Sequence, residues 1–329
     1  MTRVLVTGAT GFVGRRLCAD LVRRGVAVSA ATRNPRLLHD VHGVDLRAVA
    51  GLGAGTDWSG ALRGVDAVVH LAARVHVMDD RAADPLAEFR RINAEGTRRL
   101  AEDAAAAGAR RFVLLSTIKV NGEHTGDTPF ADETPPMPED PYARSKWEAE
   151  RALAAVAAAT GMEAVVLRPP LVYGPGVKGN FLSLLKLCRK APPLPLASVR
   201  NARSLIFVGN LTAAIAACLE KPAAAGRTYL VRDGEDLSTP DLIRRLAAAL
   251  DRPARLFPCP PAVLRAAAAL AGRSAAAARL LDSLRVDDGK IRRELNWTPP
   301  HGVDQGLTET AAWFLSRARF RTGTEERHR

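Results

Sequence analysis

Cysteine is scarce in this chain: four among 329 residues, at Cys18, Cys188, Cys218 and Cys259, with no C-x-x-C pair. That argues against a zinc site or a disulfide framework and suits a reducing cytosol. Aromatic residues are only 5%, and no nucleic-acid motif accompanies the net charge of +12. A nucleic-acid partner is therefore not expected, although several arginines gather in the tail, at Arg317, Arg319, Arg321, Arg327 and Arg329. Long apolar runs are missing as well. The opening Met1 to Val6 is too short for a signal peptide. The most apolar later stretch, Ala262 to Leu281, contains Arg265, Arg273 and Arg279, so it reads as a surface or interdomain helix, not a membrane span. The Ala-rich C-terminal half has no fixed repeat.

What is present is the composition of a soluble globular protein, 47% apolar and 25% charged. The length suggests one large α/β domain with a smaller one appended. The basic balance favours small phosphorylated anions as ligands. Arg3 to Val6 reads as a buried strand, followed by Thr7-Gly8-Ala9-Thr10-Gly11-Phe12-Val13-Gly14 and a helix over Arg15 to Arg24. Glycines at 8, 11 and 14 permit a tight turn and close approach of backbone to a diphosphate. Their spacing differs from the G-x-G-x-x-G dinucleotide fingerprint. A second strand, Val26 to Ala31, runs into Thr32-Arg33-Asn34-Pro35-Arg36. A carboxylate at this point would hold a ribose 2′-hydroxyl; none is there, and Arg33 suits a 2′-phosphate instead. NADP(H) is expected over NAD(H), which stays possible; the competing reading of Arg33 is a solvated loop residue.

Val65 to Ala73 is another buried strand, and the small residues after Leu71, Ala72 and Ala73, let a cofactor lie flat over its end. Arg74 and His76 follow in a loop, and His76 receives no role. Phe89 to Ala107 is expected to be helical, with Asn93 facing the sheet. The strand Arg111 to Leu115 delivers Ser116 and Thr117 to the edge where open α/β sheets bind ligands. Lys119 to Glu139 is polar and reads as a flexible flap. Asp140-Pro141-Tyr142-Ala143-Arg144-Ser145-Lys146 then starts a long helix, with Pro141 suited to its first turn. Tyr142 and Lys146 share one face, and a lysine cation beside a phenol is expected to lower the phenol's pKa. The bland alternative is a boundary tyrosine with a solvated lysine. Ala164 to Arg168 is a sixth parallel strand ending at Pro169 and Pro170. Beyond Tyr173 the regular alternation fades: a helix over Phe181 to Arg189, a strand at Arg203 to Val208, a helix over Asn210 to Leu219, a strand at Thr228 to Val231, a Ser238-capped helix to Leu250, and a helix over Val286 to Leu295.

These stretches together resemble the extended short-chain dehydrogenase/reductase superfamily, in its nucleotide-sugar epimerase/dehydratase/reductase branch. The resemblance rests on T-G-x-x-G-x-x-G at Thr7 to Gly14, H-L-A-A at His70, Asn93, S-T before V-x-G at Ser116 to Gly122, Y-x-x-x-K at Tyr142 to Lys146, and R-P-x-x-V-Y-G-P-G at Arg168 to Gly176. It implies a Rossmann-like doubly wound parallel sheet over residues 1–172 with a return near 203–220. A smaller α/β substrate domain over 173–315 and a basic tail over 316–329 would follow. It implies Thr117, Tyr142 and Lys146 as catalytic residues, Tyr142 as general acid/base and Lys146 on the nicotinamide ribose. Thr10, Phe12, Val13, Thr32, Asn93 and Pro169 would join the glycines, Arg33 and Leu71 to Ala73 in holding the cofactor. Asn180 and Arg203 would bind the nucleotide-sugar diphosphate, with Arg285 near a second such arginine. Two departures stand out: Asn121 replaces the tyrosine of V-Y-G, and Thr32-Arg33 replaces the acidic NAD grip.

The implied partner is a UDP-sugar, handled in the cytoplasm by a homodimer formed through the helices at Phe89 to Ala107 and Tyr142 to Ala159. The first functional expectation is an NADP(H)-dependent C4 reductase acting on a UDP-4-keto-6-deoxy-N-acetylhexosamine for surface-polysaccharide synthesis. The second is a UDP-glucose or UDP-N-acetylglucosamine 4-epimerase that retains NAD. A non-catalytic cofactor-binding module is disfavoured by the intact Thr117, Tyr142 and Lys146.

Overall fold

The structure, a computed structural model, describes residues 2–34, 41–75 and 84–325, with side chains to Arg317. His76, Pro35, Arg36, Arg327 and Arg329 lie outside the described residues, as do the side chains of Arg319 and Arg321.

The first strands are β1 (Arg3–Thr7), β2 (Ala27–Thr32), β3 (Val44–Ala48) and β4 (Ala67–His70), with α1 (Phe12–Arg23) between the first two. Short apolar runs make the inner strands of a parallel sheet covered on both faces, whereas the outermost strand, β3, is half-exposed and carries Asp45 and Arg47, so no apolar run announces it in the sequence. Helices α2 (Pro85–Phe89) and α3 (Glu95–Ala106) are joined by a π-helical stretch, Arg90–Ala94. β5 (Arg111–Leu115), α4 (Pro141–Thr160) and β6 (Glu163–Arg168) complete the regular alternation. The sheet order is β3-β2-β1-β4-β5-β6, all parallel, so the strand order reverses direction between β1 and β4. Ligands of open α/β sheets bind at such a switch point, beyond the strands' C-terminal ends.

Strand alternation divides the core in two. Val4, Val6, Val69, Val113 and Val165 pack with Leu17 and Leu21 of α1. Their neighbours Leu5, Val68, Phe112, Leu114 and Val166 pack on the other face with Leu100, Ala104, Leu153 and Val156. α4 is set by local signals at both ends. Asp140 Oδ1 accepts the Ala143 N–H at 2.6 Å, Pro141 occupies the first turn, and Gly161 closes the helix at φ +76°. Its buried face runs Ala143, Lys146, Ala149, Glu150, Leu153 and Val156, so helical phase alone turns Lys146 and Glu150 inward.

After β6 the chain leaves this sheet through β7 (Leu171–Tyr173), α5 (Gly179–Lys190) and β8 (Arg203–Phe207). It returns for α6 (Val208–Glu220), which packs against α1, and for β9 (Thr228–Leu230), a seventh strand parallel to β6. β8 itself belongs to a three-stranded sheet with β7 and β10 (Asp236–Leu237). The return therefore starts at Val208, later than the 203–220 expected from sequence, and extends through β9. α7 (Thr239–Ala249), α8 (Pro261–Leu270), α9 (Ser274–Leu281), α10 (Gly289–Leu295) and α11 (Val303–Glu325) complete the chain.

Three local expectations are corrected. Ala262 to Leu281 is two helices, not one, because Gly272 at φ +64° turns the chain. Val286 is not helical; it bridges Phe130, and the helix starts only at Gly289. Nor is Lys119 to Glu139 a free flap. Thr125 N–H donates to Ser283 O at 2.8 Å, Phe130 N–H to Arg285 O at 2.9 Å and Met137 N–H to Val120 O at 2.9 Å. Polar composition hid these backbone partners, which lie far off in sequence.

Candidate active site

The glycine loop is packed too tightly for any other residue at two of its positions. Gly8 has φ +68°, and a Cβ there would stand 2.8 Å from Ala72 N; one on Gly14 would stand 2.1 Å from Gly8 O. Gly11 N–H closes the turn onto Gly8 O at 2.9 Å. α1 then begins with no side-chain cap and no acidic residue in its first turn. Its first N–H groups thus keep the partial positive charge that suits a diphosphate. This cradle, with the backbone of Leu71 and Ala72 packed against Gly8 just beyond β4, suits a dinucleotide. Thr10, Phe12 and Val13 belong to the same turn, and a Cβ on Gly176 would sit 3.3 Å from the Phe12 ring. Beyond β2, Thr32 is buried and its Oγ1 accepts the Asn34 N–H at 3.0 Å, while Arg33 is exposed.

α4, which carries Tyr142 and Lys146, packs on the turn Ile118–Val120, which Thr117 caps. Ser116 N–H donates to Leu167 O at 2.7 Å and Ile118 N–H to Pro169 O at 2.9 Å, which fixes Thr117 at the sheet edge. Lys119 Nζ reaches both Glu123 Oε1 and Asp140 Oδ2 at 2.7 Å, tying that turn to the α4 cap two residues before Tyr142. Burial works against the Asp140 carboxylate, but the Lys119 ammonium and the Ala143 N–H outweigh it and hold its pKa below the ordinary value. Of the two hydroxyls after β5, Ser116 is spent on Glu150 in the interior. Thr117 remains half-exposed, its Oγ1 accepting a long 3.4 Å bond from Lys119 N–H.

Lys146 is 2% exposed. Burial lowers its pKa to about 8 against the opposing attraction of Glu150. The Tyr142 ring sits edge-on to Phe89, centroids 6.1 Å apart. Its phenol is pushed up to about 12, by burial first and by the Asp140 charge second. The sequence expectation that Lys146 lowers the phenol is thus overturned for the protein alone. Desolvation raises the cost of the phenolate, and the nearby Asp140 carboxylate raises it further.

A polar chain runs from β1 to α4. Thr97 Oγ1 donates to Asn93 O, so it accepts from His70 Nε2–H at 3.1 Å. His70 Nδ1 is then the acceptor for Thr7 Oγ1–H at 2.7 Å, a tautomer assigned from the network. Burial and the nearby Lys146 charge lower the His70 pKa to about 3, so the ring is neutral. Asn93, 1% exposed, sits in the π-helical turn. Its Oδ1 accepts Arg74 N–H at 2.8 Å, and its Nδ2 donates to Arg74 O at 3.0 Å and Ser145 Oγ at 2.9 Å. Ser145 Oγ in turn donates to Tyr142 O at 2.8 Å. The amide of Asn93 is therefore occupied in joining the exit of β4 to α4.

Below α4 lies a second network that sequence reasoning missed. Arg168 Nη2 meets Glu150 Oε2 at 2.6 Å, Arg168 Nη1 donates to Asn121 Oδ1 at 3.1 Å, and Asn121 Nδ2 donates to Thr134 O at 2.9 Å. Asn121, read from sequence only as a departure from V-Y-G, thus serves the buried guanidinium. The phase of Glu150, one turn beyond Lys146, was the available signal.

The three residues expected on the substrate side, Asn180, Arg203 and Arg285, are not all brought together. Arg203 and Leu284 form a bridge, so Arg203 and Arg285 sit on adjoining segments. Arg203 Nη1 donates to Asp282 O at 2.9 Å, and burial lowers its pKa while Glu123 opposes that shift. Arg285 Nη2 bonds Gly126 O at 3.2 Å and also Asp127 O. Asn180 is exposed in the first turn of α5, and no described contact joins it to either arginine. A cavity of about 510 Å³ lies elsewhere, between α4, β6 and Asp132 to Pro136; none of Thr117, Tyr142 or Lys146 lines it.

Residues 4–231 match the NAD dependent epimerase/dehydratase family. The chain belongs to that family. It is 43% identical over 317 residues to the UDP-glucose 4-epimerase of Vibrio cholerae, spanning 95% of both chains. Among solved structures it is similar to MoeE5 in complex with UDP-glucuronic acid and NAD, at 25% identity and TM-score 0.75 over 96% of this chain and 99% of that one. DesIV, a dTDP-glucose 4,6-dehydratase from Streptomyces venezuelae with NAD and TYD bound, gives 26% identity and TM-score 0.77 over 97% and 98%. The protein is an NAD(P)-dependent enzyme of the extended short-chain dehydrogenase/reductase type, similar to nucleotide-sugar epimerases and dehydratases. The order of the two functional expectations is thereby reversed: the relatives favour the epimerase over the reductase, and the bound cofactor of these neighbours is NAD.

Proposed function

We propose that this enzyme interconverts the C4 epimers of a UDP-hexose or UDP-N-acetylhexosamine, with NAD retained through the cycle. The observation that carries the reading is the 43% identity to a UDP-glucose 4-epimerase across 95% of both chains. When bound, the oxidised nicotinamide would supply reversible hydride acceptance and a positive charge. Tyr142 takes and returns the C4 hydroxyl proton; burial keeps its phenol protonated in the protein alone, so the phenolate that takes the proton forms only when the positive charges of Lys146 and the bound nicotinamide favour it. Thr117 orients the same oxygen through its half-exposed hydroxyl. Lys146 holds the ribose and partly charges the site. Arg203 and Arg285 receive the diphosphate, with Asn180 at the rim. The α1 N-terminus, Thr32 and the small residues after β4 hold the dinucleotide.

A C4 reductase using NADP(H) is the second reading, favoured by Arg33 and by the lack of a carboxylate after β2. A cytoplasmic homodimer through α3 and α4 completes the proposal; light scattering at working concentration tests it. The deciding experiment is assay of freshly purified enzyme on UDP-glucose and UDP-N-acetylglucosamine with no dinucleotide added. The epimerase reading expects turnover and about one equivalent of NAD released on denaturation. No epimer formed, with stoichiometric NADPH oxidation on a UDP-4-keto sugar, would establish the reductase instead.

A further inference from the structure

We propose that the α8–α9 hairpin, with Phe257 beside it, docks on the surface of an anionic lipid bilayer. α8 buries none of its residues. Of the eight large apolar side chains that stand exposed among the described residues, four lie here: Phe257 at 45%, Val263 at 55%, Leu270 at 93% and Leu280 at 40%. A cluster of this kind on one short hairpin marks an interaction surface, whereas single exposed leucines do not. Gly272, at φ +64°, makes the turn that leaves Leu270 at the tip. The hairpin is anchored from behind, where Leu264 and Ala277 pack on the core of the substrate region.

Charge selects the occupant. Between Asp251 and Asp282 the chain has five arginines (Arg252, Arg255, Arg265, Arg273 and Arg279) and no carboxylate or lysine. Among the described residues only Arg265 of these pairs with a carboxylate, that of Asp282 at 2.6 Å. An exposed apolar hairpin whose neighbouring Arg252, Arg255, Arg273 and Arg279 are exposed and, among the described residues, without a carboxylate partner matches the boundary between acyl chains and anionic headgroups. A second copy fits poorly, because a two-fold contact would face the arginines with themselves. A nucleic acid would engage the arginines but leave Val263 and Leu270 in water. Ten residues of α8 rise about 15 Å, which cannot cross a bilayer, so the hairpin lies on it. Docking there also places the substrate side near the lipid. Asn201 Nδ2 donates to Leu280 O and Asp282 O, each at 3.1 Å, and Arg279 acts on the charge of Arg203.

The test uses the full chain with unilamellar vesicles of phosphatidylcholine alone and of phosphatidylcholine mixed equally with phosphatidylglycerol, read by flotation. Binding to the mixed vesicles, at least about tenfold weaker on neutral ones and reduced in about 0.5 M salt, is expected. Arg273→Ala should weaken it about five-fold. Leu270→Gln with Val263→Gln should abolish it while leaving the thermal midpoint and turnover on soluble UDP-sugar unchanged. Leu270→Gln alone, at a side chain free of the core, is the variant to use if the double one folds poorly. Failure to float with the mixed vesicles overturns the proposal, as does unchanged flotation of Leu270→Gln. A dimer in light scattering that Leu270→Gln splits would assign the face to a second copy, and duplex DNA binding that survives Leu270→Gln would assign it to nucleic acid.

Discussion

The Arg168 guanidinium and the Glu150 carboxylate meet at 2.6 Å with their side chains 5% and 4% exposed, one helical turn beyond Lys146. Neither charge has solvent to fall back on. Glu150→Gln should therefore cost roughly 3–5 kcal/mol of stability, the usual result of leaving a buried ion unpaired. The same change removes the attraction that raises the Lys146 pKa, so that value should drop below about 8. Urea unfolding measures the first effect and NMR titration of the lysine the second. Arg168→Met added to Glu150→Gln should restore part of the stability, since the orphaned charge is gone. Equal stability of wild type and Glu150→Gln would mean the pair is not closed in solution.

Tyr142→Phe keeps the ring against Phe89 and removes only the hydroxyl. Turnover should fall by about 10²–10⁴, the range for a lost general acid/base, while bound dinucleotide stays near wild-type occupancy. Stopped assays for epimer formation, paired with the nucleotide released on denaturation, separate the two. Loss of cofactor together with activity would make Tyr142 a packing residue instead.

The parts of the fold written in short-range signals were legible in the sequence. The glycine spacing, the Asp140-Pro141 start of α4 and the apolar strand runs each act within a few residues, and the structure has them where they were expected. The Tyr142–Lys146 face followed from helix phase alone. What was illegible depends on partners far apart in the chain. Asn121 finds Arg168, Phe130 finds Val286, and Thr125 finds Ser283 only in the folded chain. The direction of the Tyr142 shift was misjudged for the same reason. Spacing gave the lysine neighbour but neither the depth of burial nor the flanking Asp140 charge.

Lys146 gives a pH signature of its own. Its folded pKa, about 8, lies below the ordinary lysine value of 10.5. At neutral pH the native state must hold a desolvated ammonium, a cost present below pH 8 and relieved as pH rises from 8 toward 10.5. Lys146→Met should then be more stable than wild type at pH 7 by up to about 3 kcal/mol, and this advantage should shrink to nothing near pH 10.5. Activity should fall at the same time. Thermal melts of both proteins across that window carry the comparison; a gap that does not narrow would place the lysine in water.

His70 should make the enzyme acid-sensitive in the opposite window. Its ring is 2% exposed, bridges Thr7 and Thr97, and is held neutral, with a folded pKa of about 3 against 6.5 for an ordinary histidine. The unfolded chain gains a proton below 6.5 that the native ring refuses, so this contribution to stability is full above pH 6.5 and drains away as pH falls toward 3. By about pH 4 the loss should reach about 3 kcal/mol. His70→Asn, which keeps a donor and an acceptor but cannot titrate, should start less stable at pH 7 through lost packing and then decline less steeply between pH 6.5 and 4. Chemical denaturation at several pH values gives the two slopes. Parallel profiles would show that the imidazole takes up its proton in the folded protein, which requires water at the Thr7–His70–Thr97 junction and would loosen the link from β1 to the helix bearing Tyr142.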